Sequence, residues 1–169
     1  MRRFGPYWPK ISAMVEWEQW LARWELADLA PEDVPALAVE ALEGGCGSKE
    51  LAVLATLRRP TRSEVEEHLR PLLVSLGVHR PSRRVALKTV VDDCAKQLAY
   101  GTIEPYTGAR KLWSLASQVH EDPSLFGQLS IFIGLASAWE ERLNVRSAIE
   151  THMTSEARDF LARGGLDLD

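Results

Sequence analysis

Glu104, Tyr106 and Arg110 are the residues whose types and spacing best suit recognition chemistry. They lie in the segment GTIEPYTGARKLW, residues 101–113, where Glu104–Pro105 is typical of a helix start. A carboxylate, a phenol and a guanidinium within two helical turns can offer charge, hydrogen bonds and an aromatic face to a partner. Gly108 lies one turn inside this helix, where glycine costs about 1 kcal/mol relative to alanine, so a ligand or another backbone is expected to approach closely.

The same segment also has a structural interpretation. Gly108 would then relieve a tight crossing of two helices, Trp113 would lie in the core, and Arg110 would pair with an acidic side chain. The sequence leaves both interpretations open.

The tryptophans are a second candidate for partner contact. Six tryptophans are many for 169 residues, and Trp17, Trp20 and Trp24 follow one another at spacings of three and four. Three such side chains cannot all point in one direction, so at least one is expected at an edge or an interface. Aromatic side chains are enriched at interface hot spots, which makes Trp20 and Trp24 candidates for binding a protein partner or a second copy. The alternative is packing in the core and at its rim.

Two basic clusters flank the helices predicted near residues 62–100. The first contains Arg58, Arg59 and Arg62, and the second contains Arg80, Arg83, Arg84 and Lys88. If these helices formed a helix-turn-helix, both clusters could meet phosphates of DNA. However, the second helix has no row of side chains suited to base edges, and solvated helix ends explain the clusters as well.

Catalytic and metal-binding motifs are missing from the sequence. There is no HExxH, GxSxG, Walker loop or GxGxxG, and the four histidines are scattered. Glu140 and Glu141 are adjacent, so their side chains diverge by about 100° on a helix and cannot work as an acid–base pair on one face. We therefore expect no catalytic residue, no metal site and no cofactor, and we predict that the protein is not an enzyme. An enzyme site assembled from distant residues is the option that only a structure could raise.

Composition predicts a soluble cytoplasmic protein. The formal charge is −4, and the two cysteines, Cys46 and Cys94, form no CxxC pair and are expected to be reduced thiols. The uncharged run Ser124–Trp139 spans sixteen residues, too few for a membrane helix. We expect an N-terminal extension at residues 1–10 and a single all-helical domain at residues 11–169.

Hydrophobic periodicity predicts an all-α fold, an irregular bundle of seven to eight helices. Proline marks their starts and glycine their ends. The predicted helices span about 11–28, 31–43, a short stretch after Ser48, 62–76, 82–100, a stretch from 105, 125–143 and 145–162. Pro71 should kink or split the helix near Arg70.

The helix predicted at Leu125–Leu143 is expected to be central. Its bulky residues share one face, and its opposite face carries Gly127, Ser130, Gly134 and Ser137. A helix with bulk on one side and small residues on the other is typically buried on both.

The passages LAVEALEGGCGSKELAVLATL, IEPYTGARKLW and FIGLASAWEE, followed by a final amphipathic helix, resemble a group of small, uncharacterised all-helical proteins of high-GC, actinobacterial-type bacteria. The resemblance implies a bacterial cytoplasmic protein, and it carries over no catalytic residue. Together with the missing motifs and the aromatic candidates, it leads us to predict a non-enzymatic protein-binding module, for example an immunity or regulatory partner. The alternative is a DNA-binding regulator that uses the helices near residues 62–100.

Overall fold

The computed structural model describes the backbone of residues 11–168 and the side chains of residues 17–168. The predicted N-terminal extension, residues 1–10, lies outside this part of the chain. Within it the fold is all-α, with eight α-helices that pack against one another and no β-strand, which confirms the predicted fold class. No helix in the described residues combines the length and apolarity that crossing a bilayer requires.

The chain divides into two compact units, residues 1–86 and residues 87–169. The division falls between Ala86 and Leu87, near the start of a helix. The predicted single domain stays a prediction.

The first unit contains four helices. They are α1 (Ile11–Glu25), α2 (Val34–Glu43), α3 (Lys49–Thr56) and α4 (Arg62–Leu76), with a 3₁₀ turn at Pro31–Asp33 before α2. The helix α3 packs against both α2 and α4. The core of the first unit is formed by apolar side chains from all four helices. They include Trp24, Val34, Leu51, Leu54, Leu69 and Leu72.

The helix α4 begins at a capping box and continues through Pro71. The Thr61 hydroxyl accepts a hydrogen bond from the backbone amide of Glu64, and the Glu64 carboxylate accepts one from the backbone amide of Thr61. Pro71 lies inside α4, so the helix is not split there, and the predicted kink stays a prediction. Pro71 is exposed, while Leu69, Leu72 and Leu73 on the buried face hold both halves against the core. Packing on one face thus offsets the lost backbone hydrogen bond on the other.

The second unit contains nearly all of α5 (Arg83–Tyr100), followed by α6 (Pro105–Ser117), α7 (Pro123–Glu141) and α8 (Arg146–Ala162), with a 3₁₀ turn at Leu143–Val145. The helix α6 packs against α7 and α8, which also contact each other. Their shared core includes Phe132 and Phe160, whose rings meet edge to face at 6.0 Å.

The helix α7 is buried on one face only. Leu125, Leu129, Phe132 and Ala136 are buried, as predicted. In contrast, Gly127, Ser130 and Gly134 are exposed, and a Cβ atom at either glycine would meet no atom within 4 Å. Leu143 lies beyond the end of α7 and is 71% exposed. The predicted enclosure of this helix on both sides is therefore not found, because its small residues face solvent rather than a close neighbour.

Candidate functional site

The start of α6 places the three predicted recognition residues at the surface of the second unit. Glu104 is the N-cap residue and accepts a hydrogen bond from the Thr107 hydroxyl at 2.6 Å. Tyr106 and Arg110 follow at positions four residues apart, so they share one face of α6. Glu104 and Arg110 are exposed, and Tyr106 is half-buried.

Tyr106 and Arg110 meet residues from the end of α7 and the start of α8. The ring of Tyr106 stacks on Trp139, with ring centroids 4.0 Å apart and an interplanar angle of 17°. The Arg146 guanidinium carbon lies 3.7 Å from the Trp139 ring centroid, and its Nε donates to the Trp139 carbonyl at 3.0 Å. We call Tyr106, Arg110, Trp139, Glu140 and Arg146 the Trp139 cluster.

Hydrogen bonds fix the polar ends of this cluster. The Tyr106 hydroxyl donates to Glu140 Oε1 at 2.6 Å, and Arg110 Nη1 lies 3.6 Å from the same oxygen. The hydrogen bond to Glu140 raises the pKa of Tyr106, because it favours the protonated phenol. Trp139 Nε1 donates to Glu150 Oε1 at 2.8 Å. The aromatic faces are therefore held in one arrangement, while the side chains of Arg110 and Glu140 remain 49% and 44% exposed.

Gly108 serves packing in this structure. It is buried, and an added Cβ would lie 3.2 Å from Ile103 Cγ2 and 3.4 Å from the Leu98 side chain of α5. The Cys94 thiol also reaches the Gly108 carbonyl at 3.6 Å. The close approach expected at this glycine is thus made by α5, in line with the structural interpretation of the segment. Arg110 also pairs with an acid, as that interpretation expected, whereas Trp113 is only half-buried.

Trp20 and Trp24 do not lie at the surface. They are 8% and 1% exposed and belong to the core of the first unit. Their prediction as partner-binding residues is corrected accordingly, because a buried ring offers no area to a partner. The helical wheel of α1 could not show this, since the residue that binds Trp24 lies 42 positions away in α4.

Trp24 is the centre of a partly buried polar contact. Its Nε1 donates to Glu66 Oε1 at 2.7 Å, and Arg62 both covers its ring at 4.2 Å and donates to its carbonyl at 2.7 Å. Arg80 forms ion pairs with Glu66 and with Glu25, the latter at 3.1 Å. Arg62 and Arg80, which belong to the two basic clusters predicted as possible DNA contacts, thus bind other residues of the first unit.

Glu66 should make stability depend on pH. Partial burial acts to raise the pKa of Glu66, but hydrogen bonds from Arg80 and Trp24 outweigh it and hold the pKa below its ordinary value of 4.5. A lowered pKa means that the ionised group stabilises the fold above pH 4.5 and that this contribution is lost as the pH falls through the folded pKa. We expect Glu66→Gln to cost about 1 kcal/mol near neutral pH and much less near pH ~3.

Urea unfolding at a series of pH values measures this effect. The matched control is Glu67→Gln, which changes an exposed neighbour on the same helix. A constant difference between wild type and Glu66→Gln across the pH range would contradict the expectation.

The two cysteines are free and buried. Cys46 is 9% exposed, although its GGCGS loop would have allowed exposure, and burial raises the pKa of its thiol. Because both thiols are buried and shielded from the reagent, we expect both to react with Ellman's reagent at least about a hundredfold more slowly in the folded protein than in urea. One equivalent of rapid reaction under native conditions would contradict this.

Metal ligands do not converge in the described part of the chain: no three His, Cys, Asp or Glu side chains there are placed to share an ion. His120, for example, has a partner in the backbone: its Nδ1 lies 3.0 Å from the Ser117 carbonyl oxygen.

Sequence reasoning missed Trp139, Glu140 and Arg146 as parts of the candidate site. The sequence showed Trp139 only as the end of an uncharged run and Glu140 only as one of two diverging carboxylates, and it indicated no role for Arg146. Tyr106 and Glu140 are 34 positions apart, so no local spacing could reveal their contact.

Searches against protein-family models, curated proteins and solved structures each return no significant match.

Proposed function

We propose that this protein is a non-enzymatic protein-binding module and that the Trp139 cluster of the second unit contacts the partner. The observation that carries the proposal is the fixed stack of Tyr106 on Trp139 beside the half-exposed Arg110. Tyr, Trp and Arg are the residue types enriched at binding hot spots. Because hydrogen bonds already order these side chains, a partner would bind them with a smaller loss of side-chain entropy.

The charges around the cluster suit a polar partner surface. Exposed side chains of both charges lie around the cluster. The acidic ones are Glu104, Glu140 and Glu141, and the basic ones are Arg110 and Arg142. Mixed signs at the rim favour one orientation of a complementary partner over others. Such a surface suits a chain that is itself the stoichiometric immunity or regulatory partner of another protein.

The test is a pull-down from the native host with the purified chain as bait. We expect a stoichiometric protein whose affinity falls at least tenfold for the double variant Tyr106→Ala with Arg110→Ala. The matched control is Tyr100→Ala with Lys96→Ala, because these exposed residues are also a tyrosine and a basic residue four positions apart, in the reverse order, on α5. Recovery of no stoichiometric partner, or equal binding by the double variant, would overturn the proposal.

DNA binding through the helices near residues 62–100 is the alternative, and it stays a prediction. It ranks second because Arg80 is already paired with Glu66 and Glu25. A salt-sensitive gel shift that is lost in the Arg80→Ala, Arg83→Ala and Arg84→Ala triple variant would reverse this ranking.

We infer a cytoplasmic location for the protein. The two free, buried thiols support it, since reduced cysteines are usual in a reducing compartment.

A further inference from the structure

Residues 164–168 follow α8 and run back across the second unit. We call these five residues the strap. They begin at Gly164 and Gly165, whose φ angles of +107° and +73° turn the chain away from the helix axis. The side chains that hold the strap come from α5 and α7: Lys88, Asp92 and Gln128. We call these three side chains the strap site.

The α5 side of the strap site binds the main chain of the strap. Lys88 Nζ donates to the carbonyl oxygens of Gly164 at 3.3 Å and of Leu166 at 2.6 Å. Asp92 Oδ1 accepts the amide of Leu166 at 2.8 Å, while Asp92 Oδ2 pairs with Lys88 at 3.0 Å. The ion pair thus presents a donor and an acceptor in fixed positions to one peptide segment.

The α7 side repeats this arrangement with an amide. Gln128 Nε2 donates to the Asp167 carbonyl at 3.0 Å, and Gln128 Oε1 accepts the Asp167 amide at 2.8 Å. All five of these hydrogen bonds to the strap end on its main chain, as when a protein recognises an extended peptide.

Two features add sequence selectivity to this main-chain binding. The Leu166 side chain is completely buried, so a polar or charged side chain at this position would be costly. At the preceding position, a Cβ on Gly165 would lie 2.3 Å from Asp92 Oδ1, so any other residue would force Asp92 or the strap to shift, and the φ angle of +73° also favours glycine. The strap site therefore selects Gly-Leu followed by a residue whose amide and carbonyl reach Gln128.

We propose that the strap site is a peptide-binding site that the strap occupies in cis, and that it takes a Gly-Leu-Asp segment of a partner protein when the strap is displaced. The strap itself defines the ligand chemistry. A tethered segment acts at an effective concentration on the order of millimolar, so a free peptide competes poorly until the strap is weakened. This site shares no residue with the Trp139 cluster, and the two proposals stand or fall separately.

The experiment uses the chain of residues 1–169 carrying Gly165→Ala, in which the contact between the added Cβ and Asp92 weakens the hold on the strap while Lys88, Asp92 and Gln128 are all retained. The probe is a fluorescein-labelled peptide with the sequence RGGLDL of residues 163–168, followed by fluorescence anisotropy. We expect saturable binding to the Gly165→Ala chain at least tenfold tighter than to wild type. The matched control is Gly101→Ala, a glycine of the same φ with open space around its Cβ, which should bind like wild type.

Three further measurements decide the outcome. Adding Gln128→Ala to the Gly165→Ala chain should weaken peptide binding at least tenfold, and so should replacing the second glycine of the peptide by alanine. In wild type, the amides of Leu166 and Asp167 should exchange with deuterium well before the central amides of α5. No saturable binding to a folded Gly165→Ala chain would overturn the proposal, and so would strap amides that exchange only with global unfolding.

Discussion

Replacing Gly165 by alanine should lower the free energy of unfolding by about 3 kcal/mol. The φ angle of +73° costs an alanine about 1–2 kcal/mol, and its Cβ would lie 2.3 Å from Asp92 Oδ1. Asp92 and the strap would have to move apart, and the hydrogen bond from the Leu166 amide to Asp92 would be lost. Urea unfolding followed by circular dichroism measures the change.

Gly101→Ala measures the cost of the left-handed backbone conformation alone, without the contact with Asp92. Gly101 also has a φ angle of +73°, but its Cβ would meet no atom within 4 Å. We expect this variant to lose only about 1–2 kcal/mol, the cost of the left-handed conformation. Equal losses for Gly101→Ala and Gly165→Ala would show that the contact with Asp92 does not matter.

Trp24→Phe should destabilise the protein by about 2 kcal/mol more than Trp20→Phe. Trp24 donates to the Glu66 carboxylate at 2.7 Å, so its loss leaves a half-buried carboxylate with one hydrogen bond fewer. Trp20 Nε1, in contrast, is buried without a hydrogen-bond partner, and phenylalanine removes that cost. A phenyl ring can still meet Trp17 edge to face, as Trp20 does at 4.9 Å.

The comparison rests on two substitutions of the same size in the same helix. Urea unfolding of both variants gives the difference, and the Glu66→Gln background tests its origin. In that background the gap between Trp24→Phe and Trp20→Phe should shrink by about half or more. A gap of the same size with and without Glu66 would show that the indole hydrogen bond is not its cause.

The helices could be predicted because their signals are local. Proline at the start of α6 and α7, glycine after α4 and α5, and apolar residues at helical spacing all act within one or two turns. The burial of each face could not be predicted in the same way. Small residues such as Gly127 and Gly134 are equally compatible with close packing and with exposure, and only the position of neighbouring helices decides between them.

The candidate site was predictable on α6 and not beyond it. Glu104, Tyr106 and Arg110 belong to one short segment with a helix start, so their proximity followed from the spacing. Their partners, Trp139 and Arg146, come from two later elements whose docking on α6 is set by the core of the second unit. The burial of Trp24 could not be predicted for the same reason, because the residues that contact it, Glu66 and Arg62, come from distant positions in the chain.

The open face of α7 gives experimenters a place to attach reporters. Gly127 and Gly134 are seven residues apart, which corresponds to roughly 10 Å along a helix, and both have empty space where a side chain would begin. Spin labels or fluorophores on cysteines introduced there would sit outside the core, while the buried native thiols stay shielded. Changes in the distance between the two labels would then follow the melting of this helix in real time.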